Sequence, residues 1–326
     1  MQHYCTIFDS NYVPRFLTML SSMHVHCGEF RIYTFCMDDA SYSMMLELKD
    51  SSVIPVHYTD LEKHDPELKA AKSTRSLIEY YFTCTPAIAN YVFSVTAEID
   101  LLTYLDADLY FYSSPEVIFR EIGDGSVAIV EHRFSRFGKK FIKNGRFNVA
   151  WITYKRDENG MACLKDYRKQ CIAWCYDYLD GDRFADQKYL DRWPDHYTGV
   201  RIIVNKGVNL APWNIGNYTL SKKGTQIFVD NDELVFYHYA GLKQLKTGLY
   251  TTTISAYLVF ITALIREDLY GAYIRKLLYF TKTSDTTAKT VNPKYQKFSI
   301  QRTMKEKIRQ IRRFIFRDYV SLKTLK

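Results

Sequence analysis

No run of eighteen or more apolar residues occurs in the chain, so the sequence offers no candidate membrane span. Its amino end, MQHYCTIFDSNY, has no basic start followed by an apolar stretch and does not read as a signal peptide. A first strand begins there almost at once. There is no internal repeat and no strong low-complexity tract. The seven cysteines are odd in number and scattered, which argues against a disulfide scaffold and fits a reduced, cytosolic protein. The closest pair, Cys171 and Cys175, would share one helix face. No further Cys or His stands at ligand spacing from them, so they read as core thiols and not as a metal site. A nucleic-acid-binding face is missing from the main body as well. The net charge is +8, but nine basic and two acidic side chains fall in residues 301–326, so the rest of the chain is nearly neutral.

What the chain does have is ample core material, 47% hydrophobic residues over 326 positions, and a clear alternation of elements. CTIFD, RIYTFCMD and SVIPVHYT read as strands; PRFLTMLSSM and SYSMMLELKD read as helices. Such alternation predicts an α/β fold with a mostly parallel sheet flanked by helices. Ligands on such sheets bind beyond the carboxyl ends of the strands, where Asp9 and Asp38 stand. Residues 73–97 read as helical with a break at Pro86. Residues 161–179 form an amphipathic helix after the strand RFNVAWITYKRD. The spacing divides the chain into an α/β domain over 1–250, helices over 251–280 that pack on it, a polar linker over 281–300 and a basic amphipathic helix over 301–326. Met304, Ile308, Ile311, Ile315, Tyr319 and Leu322 form the apolar stripe of that last helix. Apolar and basic faces together suit an anionic membrane surface; the alternative is a terminal helix docked on its own domain.

The run Leu101–Tyr112, LLTYLDADLYFY, reads as a buried strand ending in Asp106 and Asp108. Two carboxylates in apolar surroundings are costly unless something positive sits between them. At i and i+2 on an extended chain they point the same way. That geometry suits a divalent cation, which in turn holds a phosphate-bearing ligand. The bland alternative is a strand end followed by an acidic turn.

Four further patterns accompany the pair, and in their order the chain resembles the GT-A glycosyltransferases over residues 4–246. The closer resemblance is to the retaining enzymes of glycosyltransferase family 8 and relatives that build bacterial surface polysaccharides. The resemblance implies that Asp9, Asn11 and Tyr12 in IFDSNY hold the uracil and ribose of a UDP-sugar, by edge pairing and ring stacking. It implies that Arg75, before the acidic strand, lies near the donor sugar and the aspartates. Asn148 in RFNVAWI matches a family asparagine that lines the donor sugar, with Ala150 where glycine is usual. Asp186 and Gln187 in FADQKYL match a pair that lines the donor sugar, where positive charge develops in an oxocarbenium-like state; plain helix capping by Asp186 is the alternative. In FYHYAGLK, His238 matches the third metal ligand and Gly241 the family glycine. Lys243, one residue earlier than usual, and Lys246 are candidates for the leaving diphosphate. A neutral imidazole in the set favours Mn²⁺ over Mg²⁺. Trp213 and Asn214 read as a rigid loop core or a sugar platform, and Glu131 and His132 as possible walls of the site.

These readings lead to one expectation: a metal-dependent, retaining glycosyltransferase that moves a hexose from a UDP-sugar to a saccharide or lipid-linked saccharide. No side chain reads as a nucleophile, so the acceptor hydroxyl attacks from the front face. The basic tail places the enzyme at the inner face of the cytoplasmic membrane. Two alternatives remain. A sugar nucleotidyltransferase would carry a glycine-rich loop after strand one, where FDSNYVPRF has no glycine. A non-catalytic membrane-surface binding protein could keep the same fold.

Overall fold

The strand–helix alternation of the first sixty residues builds one edge of a central sheet. In the computed structural model, which describes residues 1–285 and 304–323, β1 (Gln2–Phe8), β2 (Phe30–Cys36) and β3 (Val53–His57) pair in parallel. β4 (Leu101–Leu105) joins β1 in parallel, and β5 (Leu109–Phe111) leaves the sheet. β6 (Val127–Glu131), β7 (Phe147–Lys155) and β8 (Val200–Ile203) complete seven strands in the order β3-β2-β1-β4-β7-β6-β8. β7 is antiparallel to both neighbours, so the sheet is mixed and mostly parallel, as the pattern predicts.

Side chains alternate across β1 and feed two cores. Tyr4 and Phe8 meet the helix Val13–His26, which starts with Pro14 in its first turn and buries Phe16, Leu20 and Met23. Cys5 faces the other core, under the helices Leu77–Val95 and Glu158–Ala173. The break expected at Pro86 does not occur: the helix runs through it to Val95. Proline forfeits one backbone bond there, but Tyr80, Cys84, Ile88, Val92 and Phe93 stay buried, and that packing outweighs the local loss. Cys171 and Cys175 are buried and free.

A third core follows β8. β9 (Leu220–Lys223), β10 (Gln226–Val229) and β11 (Asp232–Glu233) form a small antiparallel sheet. β12 (Phe236–His238) pairs antiparallel with β5. β13 (Lys243–Lys246) and β14 (Leu249–Thr251) form a hairpin. The stretch 251–280, expected to be helical throughout, opens irregularly; a π-type segment Ile265–Gly271 then leads into the helix Ala272–Asp285. Tyr237, Tyr239, Tyr270 and Tyr273 are buried in this core, with the rings of Tyr239 and Tyr273 stacked at 3.7 Å.

The helix expected over 301–326 spans Met304–Ile315. The chain then reverses, and β15 (Val320–Ser321) pairs with β14. Asp318 explains the stop. Its fully buried carboxylate accepts from the backbone N–H and hydroxyl of Thr252, at 2.7 Å each, and from those of Ser255. These fixed partners hold the chain in the reversal. Most of the polar linker expected over 281–300 lies outside the described residues.

Candidate active site

β4 ends at the carboxyl edge of the sheet, where the N–H of Asp106 still bonds Ala150 O at 3.2 Å. Ala107 and Asp108 then form a turn before β5, so the acidic pair sits in a tight corner and not on one extended strand. The corner still brings the carboxylates together. Tyr104 donates to Asp106 Oδ1 at 3.0 Å. Because β5 pairs with β12 in a register that sets His238 opposite Leu109, the imidazole arrives beside Asp108. Tyr239 N–H also donates to Asp108 O at 3.0 Å. His238 Nε2 lies 3.1 Å from Asp108 Oδ1 and 3.6 Å from Asp106 Oδ2. One ligand atom from each of the three falls within 4.8 Å of the others.

The electrostatics match that convergence. Burial pushes Asp106 above the usual carboxylate range. Asp108 is also penalised by burial, yet His238 and Arg15 hold it below that range. Burial acts against protonated His238, but Asp108 and Asp106 raise it above the ordinary imidazole value. The other imidazole nitrogen is spoken for. His238 Nδ1 meets Asn148 Oδ1 at 3.3 Å, and Asn148 Nδ2 meets His132 Nε2 at 3.4 Å. Burial drives His132 down to about 3, so it is neutral at neutral pH. Its Nδ1–H donates to Arg146 O at 3.3 Å, which leaves Nε2 to accept from Asn148. The amide is thereby oriented with its oxygen toward His238 Nδ1–H, and His238 Nε2 is left facing the two carboxylates. A ligating histidine is held in this way by a partner on its second nitrogen. Two carboxylate oxygens and one imidazole nitrogen suit a divalent cation.

The remaining residues divide. Asp9 Oδ1 accepts from Asn11 N–H at 3.0 Å and Oδ2 from the Tyr81 hydroxyl at 3.1 Å, which leaves Asn11 and Tyr12 exposed at the carboxyl end of β1. Although the Tyr12 ring is exposed, its hydroxyl is pushed up to about 12, first by Asp108, so it stands close to the acidic corner. Asp38 caps the helix Asp39–Leu48. Asn148, which the resemblance sets against the donor sugar, is 5% exposed and bonds His238. Asp186 is buried beside Thr85, whose hydroxyl donates to it at 2.9 Å. It follows Ala185 at φ 44, a strained backbone for a residue with a side chain, and its carboxylate caps no helix. Burial pushes Asp186 up to about 7. Gln187 Nε2 donates to Asn144 O at 2.9 Å, which ties it to the end of the short helix Lys139–Asn144. Arg75 stands before the helix Leu77–Val95 and turns its donors to Thr74, Ile172 and Tyr176, with its guanidinium 4.0 Å from the Tyr176 ring centre. Lys243 and Lys246 are exposed on β13. Gly241 has φ +74 and packs so close to Thr253 that a Cβ would lie 2.9 Å from Cγ2. Asn214 is a buried loop brace bonded to His132 O, Asn209 O and Ala211 N–H. Trp213 wedges between the rings of His132 and His238.

Arg15 was not legible in the sequence. Its Nη2 donates to Leu242 O at 2.8 Å, its guanidinium lies 5.2 Å from the Tyr12 ring centre, and against the cost of burial the nearby Tyr273 and Asp108 hold it above the ordinary guanidinium range. The only available signal was its position three residues after Tyr12, one turn into the helix that the IFDSNY corner opens.

No protein-family model matches the sequence. The chain is 32% identical over 242 residues to YfnD of Bacillus subtilis (strain 168), spanning 73% of this chain and 77% of that protein. It is 30% identical over 250 residues to YfnF of the same organism, spanning 74% and 81%. The chain belongs to the family of YfnD and YfnF. Both relatives are described as uncharacterized proteins. Among solved structures, the galactosyltransferase LgtC in complex with donor and acceptor sugar analogues superimposes with a TM-score of 0.54 at 15% identity, covering 90% of this chain and 98% of LgtC. The bifunctional glycosyltransferase WbbM gives 0.51 at 13% identity, covering 86% of this chain and 51% of WbbM. At these identities the likeness is one of fold, and the fold is GT-A.

Proposed function

We propose that this protein is a metal-dependent glycosyltransferase of the retaining type, taking a hexose from a UDP-sugar to a saccharide or lipid-linked saccharide. The observation that carries the reading is the meeting of Asp106, Asp108 and His238 Nε2 at the carboxyl edge of a GT-A sheet. Asp106, Asp108 and His238 would hold the cation, Mn²⁺ in preference to Mg²⁺, and bound there it would supply Lewis-acid neutralisation of the leaving diphosphate. Asp9, Asn11 and Tyr12 bind the uracil and ribose. Arg15, held charged beside Asp108, adds positive charge on the diphosphate, as do Lys243 or Lys246. Asp186 and Gln187 stand by the sugar, and the ionised Asp186 favours positive charge at the anomeric carbon. Asn148 acts through His238. Arg75, bound to Tyr176, braces the segment that carries Asp186, where Ala185 N–H donates to Tyr176 O. No helix among the described residues is long and apolar enough to cross a membrane, and residues 301–326 attach the enzyme to the anionic inner face of the cytoplasmic membrane.

The test is a thermal-shift panel of UDP-sugars with Mn²⁺ and then with EDTA, since a ligand raises stability as ln(1 + [L]/Kd). One UDP-hexose should shift the transition only with metal present, and Asp108→Ala should abolish that metal-dependent part. Absence of a shift with every UDP-sugar would refute the donor assignment.

A further inference from the structure

The cleft between the C-terminal helix and β13 holds a second concentration of charge. A cavity of about 300 Å³ is lined by Lys243, Thr253, Ser255, Arg309, Arg312 and Arg313, and the acidic corner is not part of its wall. None of the four cations makes an ion pair among the described residues. Asp318, five residues beyond Arg313, is occupied by Thr252 and Ser255. Residues 286–303 contain no Asp or Glu, so their side chains bring no acid to neutralise the cluster. Arg312 Nε is buried and without a partner among the described residues. Burial holds the Arg313 guanidinium below its ordinary range; the nearby Asp318 opposes that, and Arg309 and Arg312 add to it. Unpaired like charges in one partly enclosed space are costly, and so is an orphaned buried donor; an anion would relieve both.

We propose that this cleft binds a phosphate or diphosphate ester through Lys243, Arg309, Arg312 and Arg313, with the Thr253 and Ser255 hydroxyls beside it. Guanidinium forks match phosphate oxygens in pairs. The same helix suggests where the phosphate comes from. Ile308 is 56% exposed, Ile311 59% and Phe314 79%, so the helix turns Arg312 and Arg313 inward, with Arg309 at the rim, and its apolar stripe outward, the reverse of an ordinary docked helix. A lipid phosphate presented at a membrane surface would meet the cleft while the stripe meets the acyl boundary. The site takes Lys243, which leaves Lys246 as the lysine for the donor diphosphate, and otherwise does not depend on the donor reading.

The test uses the full chain in EDTA, which silences the acidic corner. Pyrophosphate is titrated calorimetrically into the wild type and Arg309→Gln/Arg312→Gln, and both proteins are floated with vesicles of phosphatidylcholine alone or with phosphatidic acid. Weakening of pyrophosphate binding by about tenfold or more in the double variant supports the site with a soluble ligand. Flotation with phosphatidic acid only, lost in the double variant, supports it with a lipid source. A wild type that binds neither probe, or a double variant that matches it on both, overturns the proposal. Thermal melts check that the variant is folded, and Arg309→Gln alone, at an exposed position, replaces the pair if it is not.

Discussion

Alanine in place of Asn148 would leave His238 Nδ1 and His132 Nε2, both buried, without the partners they meet at 3.3 and 3.4 Å. Two consequences follow, and they are separable. Orphaning a buried polar group costs about 1–3 kcal/mol of fold stability. Loss of the partner that orients a ligating imidazole costs about 10–100-fold in metal affinity, or about 1.4–2.8 kcal/mol. Asn148→Asp discriminates between the two. It keeps an acceptor for His238 Nδ1–H but loses the donor to His132, so Mn²⁺ affinity should stay near wild type while stability falls. The assay is Mn²⁺ titration calorimetry at fixed pH, paired with urea denaturation of each variant. If folded Asn148→Ala binds Mn²⁺ within about threefold of wild type, the orienting argument fails.

Two further outcomes follow from the same geometry. Asp186 has a folded-state pKa of about 7, raised above the ordinary carboxylate value, so its contribution to stability is present below about pH 4 and is lost as pH rises toward 7. Asp186→Asn should flatten that window and exceed wild-type stability at about pH 8 by at most about 4 kcal/mol, read from urea melts, while donor turnover falls. Gly241→Ala must adopt φ +74 with its Cβ 2.9 Å from Thr253 Cγ2, so a stability loss of about 1–3 kcal/mol is expected; Gly241→Ala/Thr253→Ala should recover only the clash and not the backbone strain.

The sequence made the sheet legible because parallel strands and their covering helices each carry their own periodicity. It was less informative wherever long-range pairing decides. Asp106, Asp108 and His238 were each visible, but the β5–β12 register that joins them is non-local, and the turn at Ala107 has no glycine or proline to announce it. Asn148 was marked by its surroundings, yet its partners His238 and His132 come from other elements. Arg15 sits on a helix where an arginine ordinarily reads as surface. At the carboxyl end, an apolar stripe that continues through Tyr319 and Leu322 hid the reversal imposed by Asp318, whose four bonds all go to residues more than sixty positions earlier. At Pro86 a local rule yielded to burial.

The pairing of β5 with β12 also bears on how the site could come apart. Asp108 and His238 stand 130 residues apart, and this short ladder, together with the Tyr239 N–H to Asp108 O bond just past its end, joins the strands that carry them. If the ladder unzips, the two carboxylates lose their imidazole partner and any shared cation in the same step. Their mutual repulsion then works against reclosure. A cation held there would couple ion loss to separation of these strands, and would serve as a latch between β5 and β12 as well as a reagent.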